Sequence, residues 1–234
     1  MGRHFEVRAA AMAATAKAKS AIYMRASKEI YAAAKSGDPD PASNLALRSA
    51  IEKYRKQCPK DVIDRAIEKA KGGDAVAYIP GRYEFMGPGG SNIIVDTLTD
   101  NVNRALVTVR TIVMRKGGKM ASVVYNFEHV GILNFKGDAS AVEESLILGD
   151  VDVKSVEDVD GEIEVKVAPN DLEKAKEVLK ADLSIDDYDR AELTMYPNEW
   201  IEVDDEAKAK LQAMLAELDE AEDVQAVYHN VDNI

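Results

Sequence analysis

Apolar residues recur at three- and four-residue steps through the first 70 positions: Ile22, Ala26, Ile30 and Ala33, then Leu47, Ala50, Ile51 and Tyr54, then Val62, Ile63, Ala66 and Ile67. At 100° per residue each set forms one narrow stripe on a helix. The spacing predicts helices near residues 6 to 35, from 41 to 57 and after Pro59, divided by Ser36-Gly37-Asp38-Pro39-Asp40-Pro41 and by Cys58-Pro59. Lys71-Gly72-Gly73-Asp74 closes the third helix, with glycine placed to take the left-handed C-terminal conformation, and marks a boundary.

Beyond that boundary the period changes. Ser91 to Thr97 is strand-like, Val102, Leu106, Val109 and Val113 mark a helix ending at Lys116-Gly117-Gly118, and Ser122 to Phe127 is strand-like again. From Gly131 a fuller pattern follows: strand near 132 to 135, helix near 139 to 148, strands near 151 to 156 and 162 to 167, helix near 172 to 180, strand near 191 to 196. That is the β-α-β-β-α-β order of a ferredoxin-like unit. The tail adds a short strand at 200 to 203, a helix with Leu211, Met214, Leu215 and Leu218, and a strand at 224 to 228.

The expected fold is therefore α+β, a helical N-terminal domain followed by two ferredoxin-like α/β domains, one inserted in the other. Residues 1–76 would form the basic helical domain, 80–129 plus 200–234 a discontinuous α/β domain, and 130–199 the inserted βαββαβ domain. This division requires the last strand to lie beside residues 91 to 97.

Composition narrows the chemistry. With 46% hydrophobic and 31% charged residues the chain reads as an ordinary soluble protein, and its apolar runs fall far short of a membrane span. The single Cys58 excludes an intramolecular disulfide, and His4, His129 and His229 have no metal-ligand spacing. No metal or cofactor is expected, and the cytoplasm is the expected compartment. Residues 7 to 27 have the composition of a transit peptide, but the same stretch is needed as a helix.

Charge changes the picture more. The net charge of −12 conceals a division: residues 1 to 80 hold 15 Lys and Arg against 9 Asp and Glu, and the remainder 15 against 33. A basic segment joined to an acidic one still binds phosphate where screening limits the reach of the distant acids; the other reading is a solvated basic helix surface. Arg3, His4, Arg8, Lys17, Lys19, Arg25 and Lys28 are opposed within the first 36 residues by Glu6 and Glu29 alone. Such a set gives a salt-dependent, sequence-tolerant grip on phosphate, and no helix-turn-helix signature accompanies it.

Other motifs carry less. Gly87-Pro88-Gly89-Gly90 precedes a strand and lacks the Gly-Lys-Ser/Thr of a nucleotide loop, so it reads as a tight turn with positive backbone angles. Asp186-Asp187, Asp204-Asp205-Glu206 and the acids from Glu220 to Asp223 lie at element ends with no histidine to work with them, and read as helix-start charges or solvated faces. Most tyrosines and Trp200 read as core or interface, with Tyr23, Tyr31 and Tyr83 near basic residues as candidates for base stacking. No catalytic residue is expected.

The segments Asn44 to Lys53, Pro59 to Ala70, Tyr83 to Gly90, Asn101-Val102-Asn103-Arg104 and Asp223 to Val231 carry a resemblance to the YebC family. Its members are called probable transcriptional regulators and include mitochondrial translational activators. Tyr31-Ala32-Ala33-Ala34 and Gly81-Arg82-Tyr83 are most similar to a YeeN-like branch. The chain departs from the usual Lys-Trp-Ala opening at Arg3-His4-Phe5-Glu6-Val7-Arg8. The resemblance implies no enzymatic reaction. It implies DNA binding with transcriptional control, assistance to translating ribosomes, or both, with DNA, ribosomal RNA, the ribosome or the transcription machinery as partners. It also makes Arg3, His4, Arg8, Lys17, Lys19 and Lys28 a basic face, with Arg82 and Arg104 as second-tier contacts. The alternative is an acidic adaptor that docks a basic protein through Glu202 to Glu206 and Glu217 to Asp223. Nothing in the pattern fixes an oligomeric state.

Overall fold

The computed structural model describes residues 3–72, 76–159 and 161–234, with side chains from Lys17 onward. In chain order the elements are α1 (Arg3–Ser36), α2 (Leu45–Tyr54), α3 (Lys60–Lys71), β1 (Ile79–Met86), β2 (Asn92–Thr99), α4 (Val102–Arg115), β3 (Lys119–Met120), β4 (Phe127–Phe135), α5 (Ala139–Leu148), β5 (Val153–Val159), β6 (Glu162–Val167), α6 (Leu172–Leu183), β7 (Arg190–Pro197), α7 (Asp205–Glu220) and β8 (Val224–His229). They fall into two compact units, one reaching from the N-terminus to Tyr125 and resuming at Glu199–Ile234, the other Asn126–Asn198. The fold is mixed α+β, with N-terminal helices and antiparallel sheets.

In the first unit the apolar stripes of α1, α2 and α3 meet in a core of Ala26, Ile30, Tyr31, Leu47, Tyr54, Ile63 and their neighbours. Asn44 fixes the turn between α1 and α2. Its side-chain oxygen accepts from the Leu47 N–H at 3.0 Å, and its Nδ2 donates to the carbonyls of Ala33 and Asp38 at 2.9 and 2.8 Å. Gly37 lies against it, where a Cβ would come within 2.9 Å of Nδ2.

The sheet of this unit has the order β3-β1-β2-β8, antiparallel throughout. Helices α4 and α7 bury Val109, Val113, Leu211, Met214 and Leu218 against Phe85, Ile93 and Val95. The last strand pairs with β2, Val95 opposite Val227. Gly89 and Gly90 in the β1–β2 turn have φ of 67° and 78°, and a Cβ on Gly89 would lie 2.6 Å from Val203 Cγ1.

Four sequence expectations change here. Gly72, which closes α3, is extended, with φ of −70° and ψ of 158°, and not left-handed. Residues 79 to 86 form the long strand β1, which the pattern does not predict. The expected strand at 122 to 127 is a short 3-10 turn, Val124–Asn126, running into β4. Glu84 causes this, because its carboxylate accepts the N–H groups of Val123 and Val124 at 2.7 and 2.8 Å and holds them out of a ladder. The expected strand at 200 to 203 is one isolated bridge, Ile201 to Val231.

The second unit has the sheet order β5-β6-β4-β7, antiparallel, which is the ferredoxin-like arrangement for a β-α-β-β-α-β chain. Leu133, Phe135, Ile163 and Val165 pack beneath Val142 and Leu146 of α5 and Leu172 and Leu179 of α6. The sheet of the first unit has the same spatial plan reached differently. Its third-place strand, β1, precedes the others in the chain and enters as a hairpin with β2.

Candidate nucleic-acid interface

At about 100° per residue, Lys17, Arg25 and Lys28 lie within about 80° of one another on α1, on a side distinct from the Ala26 and Ile30 stripe. That side meets the end of α7 and the start of β8. Lys17 Nζ is 2.8 Å from the Glu220 carboxylate, with both side chains more than half exposed. Arg25 donates Nε to the Val224 carbonyl at 3.2 Å and pairs with the Asp219 carboxylate at 2.7 Å. Lys28 is buried; its Nζ donates to the Glu222 carbonyl at 2.9 Å and to Asp223 Oδ1 at 3.3 Å.

Asp223 is the hub. From the other side Arg104 reaches it as a fork, Nε to Oδ2 and a terminal nitrogen to Oδ1, both at 2.9 Å, while also donating to Asp100 at 2.8 Å. Asn101 sets up this approach by capping α4, its side chain accepting from the Arg104 N–H at 3.0 Å. Burial pushes the Asp223 carboxyl up, but the Arg104 hydrogen bonds, the Thr99 hydroxyl and Lys28 outweigh it and hold the group below the usual carboxylate range. The hydrogen bonds that Arg104 donates to Asp223 and then to Asp100 raise its already high pKa.

The acids at this end of α7 are therefore not helix-start charges; Asp219, Glu220 and Glu222 remain exposed, as the sequence pattern suggested, but each is paired, and Asp223 is buried. Glu217 is held by Arg115 and by Lys116, the latter at 2.8 Å, and Asp219, Glu220, Glu222 and Asp223 all face cations of α1 or α4. A signal was present. Acids in the last turn of a helix oppose its dipole, and α7 has no basic residue there, so they needed partners from elsewhere.

Of the nine expected nucleic-acid contacts, Arg25, Lys28 and Arg104 are thus committed to internal carboxylates. Arg82 is also paired, donating to both oxygens of Asp96 at 2.7 and 2.8 Å. Lys17 and Lys19 are exposed on α1, and Lys19 makes no ion pair among the described residues. Arg3, His4 and Arg8 belong to the helix, but their side chains lie outside the described residues. The only acid of α1 from Lys17 onward, Glu29, is turned onto α2, accepting from Lys53 at 3.0 Å and from the Tyr54 hydroxyl at 2.7 Å. Among the described residues no helix is long and apolar enough to cross a membrane, and no group of His, Cys, Asp and Glu is placed to hold a metal ion.

Comparison with known proteins covers nearly the whole chain. The family model for the TACO1/YebC N-terminal domain matches residues 3–73, and that for the TACO1/YebC second and third domain matches 78–231. A probable transcriptional regulatory protein of Mesoplasma florum is 49% identical over 98% of this chain and 99% of its own length. The probable transcriptional regulatory protein YeeN of Escherichia coli K12 is 42% identical over the full length of both chains. The crystal structure of a conserved hypothetical protein from Aquifex aeolicus superposes with a TM-score of 0.77 at 28% identity, covering 91% of this chain and 90% of that one. The chain belongs to the TACO1/YebC family.

Proposed function

We propose that the protein is a nucleic-acid-binding regulator of gene expression that grips phosphate with the exposed cations of α1, on DNA in transcription or on ribosomal RNA in translation. One observation carries the reading: α1 presents Lys17 and Lys19 to solvent while its one described acid, Glu29, is turned inward onto α2. The names of the relatives support a regulatory role. Arg3, His4 and Arg8 extend the same helix toward its N-terminus and join the grip. Arg25, Lys28 and Arg104 instead hold α1 and α4 to the acidic segment, so they contribute position and not phosphate contact. For the acidic-adaptor alternative, Asp223 is buried and spent on Lys28 and Arg104, whereas Asp219, Glu220 and Glu222 are exposed in pairs that a basic partner could exchange as readily as phosphate exchanges Lys17.

The test is Arg8→Glu with Lys17→Glu and Lys19→Glu, leaving Lys28 intact because a carboxylate there would face Asp223. Affinity for a duplex DNA and a single-stranded RNA is read by fluorescence anisotropy at several salt concentrations. Each lost phosphate contact lowers the slope of log affinity against log salt by about 0.9 on duplex or about 0.7 on single strands. Unchanged affinity and slope on both probes would remove the proposal.

A further inference from the structure

A recess of about 390 Å³ lies where α1 meets α7 and β8, but the one that combines rings with cations, between α1 and α3, is smaller, about 230 Å³. Ser27, Lys28 and Tyr31 of α1, Arg65 and Lys69 of α3 and Tyr78 of the following segment line it. We infer that this smaller recess receives one unstacked nucleotide of a single-stranded nucleic acid, its base against Tyr78 and its phosphate on Lys69 and Arg65. The inference rests on the nucleic-acid reading above and adds a site to it.

The rings form a fixed corner. Tyr31 and Tyr78 meet edge to face, with centroids 5.6 Å apart and planes at 89°. Tyr31 is 3% exposed, and its hydroxyl accepts the Val76 N–H at 3.1 Å, so it serves as floor. Tyr78 is only half-buried and offers a wall for stacking. Volume sets the size of the guest. At 230 Å³ the recess lies below the about 300–1,000 Å³ typical of drug-sized ligands, which suits a single ring system.

Charge sets its orientation. Lys28 stands 5.7 Å from the Tyr78 centroid, but its charge is already met by Asp223 and the Glu222 carboxylate. Burial, followed by the field of Asp100, Tyr31, Glu222 and Asp223, pushes the Tyr78 hydroxyl above the usual phenol range, and with Lys28 already paired this end offers an anion no free cation. The opposite rim does. Lys69 stands 5.7 Å from the Tyr31 centroid, exposed and without an ion pair among the described residues. Arg65 is held by Asp61 one turn away, but that pair is exposed, and such pairs are weak enough for phosphate to displace. A neutral ring therefore belongs at Tyr78 and the phosphate at Lys69 and Arg65. A base inside a duplex cannot enter such a corner, whereas single strands present unstacked rings to aromatic side chains.

The test measures anisotropy of labelled 12-nucleotide single-stranded RNA, single-stranded DNA and duplex DNA with the full chain. Tyr78→Ala removes the stacking wall and is expected to weaken single-strand binding by about 5- to 150-fold, the loss of one stacked base, with little effect on duplex. Tyr78→Phe restores the ring and the affinity. Lys69→Gln, at an exposed position that leaves folding intact, is expected to weaken single-strand binding and lower its salt slope by about 0.7. Loss on RNA, on DNA or on both supports the recess and identifies its source. Unchanged single-strand affinity in both Tyr78→Ala and Lys69→Gln, with Lys17→Glu and Lys19→Glu still weakening binding, overturns the recess and keeps the general grip. Failure of the wild-type chain to bind any of the three probes at low salt overturns both.

Discussion

Replacing Asp223 by alanine is expected to be among the most costly single changes in the first unit. The side chain is 7% exposed and Lys28 10% exposed, so truncation leaves a buried ammonium facing an empty position. Breaking a buried pair from one side costs about 3–5 kcal/mol. Lys28 keeps the Glu222 carbonyl at 2.9 Å and the Glu222 carboxylate at 3.6 Å, and Arg104 keeps Asp100, so we place the loss at the lower end, about 3 kcal/mol. The pair with Lys28→Met separates the stranded charge from the lost contacts. Methionine preserves much of the buried stem and removes the ammonium, so the double mutant should recover about 1–2 kcal/mol relative to the sum of the single changes. Urea unfolding followed by Trp200 fluorescence reads all four stabilities, with slopes compared to exclude a change in the unfolded state. A loss under about 0.5 kcal/mol for Asp223→Ala, or strict additivity in the cycle, would refute the hub. Acid provides a further signature. The folded carboxyl lies below its unfolded value, so its contribution is present above about pH 4 and disappears as pH falls through the folded pKa. Asp223→Ala should remove that part of the acid limb.

Asn44→Ala removes a helix cap and leaves the Ala33 and Asp38 carbonyls without their donor; we expect a loss of about 2–3 kcal/mol in the same urea assay, and Asn44→Asp, which keeps the cap but turns a carboxylate oxygen onto both carbonyls, should not recover it. Gly89→Ala and Gly90→Ala should separate backbone strain from crowding. Both positions have positive φ, a cost of about 1–2 kcal/mol, but only Gly89 meets Val203 and should lose about 1–3 kcal/mol more on thermal or urea unfolding. Burial holds the His229 pKa below its ordinary value, so its contribution to stability is present above about pH 6.5 and is lost as pH falls through the folded pKa. The urea midpoint should therefore drop from pH 7 to pH 5 more steeply in the wild type than in His229→Gln.

The helices were legible because their signals are local. Leu47, Ala50 and Tyr54 repeat at helical spacing and are buried in the fold, whereas the start of the helix, expected at 41, is set at 45 by the Asn44 cap. The inserted ferredoxin-like unit was legible for the same reason, since its strands and helices alternate along the chain. Strand β1 was hidden by Pro80-Gly81, which reads as a break. Pro80 shares the strand parity of Glu84, whose carbonyl accepts the Ala121 N–H on the β3 side, so its missing N–H falls on the open edge where proline is tolerated. Residues 122 to 127 erred in the other direction: Val123, Val124 and Tyr125 favour strands, but a carboxylate 39 residues earlier in the chain bends them into a turn. The site was legible only in outline. Lys17, Arg25 and Lys28 look equivalent in sequence, and what distinguishes them is a partner about 200 residues away, with Lys28 and Asp223 separated by 195 positions.

Those partners form a gradient along α1 that reconciles the net charge of −12 with phosphate binding. At Lys17 the pair with Glu220 is exposed on both sides, at 65% and 54%, and exposed pairs contribute about 0–1 kcal/mol. A phosphate can take the lysine at little cost. At Lys28 the partner is buried and shared with Arg104, so exchange would strand a carboxylate as well as desolvate the phosphate. The acids from Glu217 to Asp223 thus divide the basic helix into a fixed part and an exchangeable part. Because each is already matched by a cation, they present a smaller repulsive field to nucleic acid than their number implies, and the acids farther off are screened over about 8 Å at physiological salt. The division also predicts an order of loss: rising salt should weaken phosphate contact at Lys17 and Lys19 well before it disturbs the Lys28–Asp223–Arg104 joint, so binding should fall with salt while the urea midpoint hardly moves.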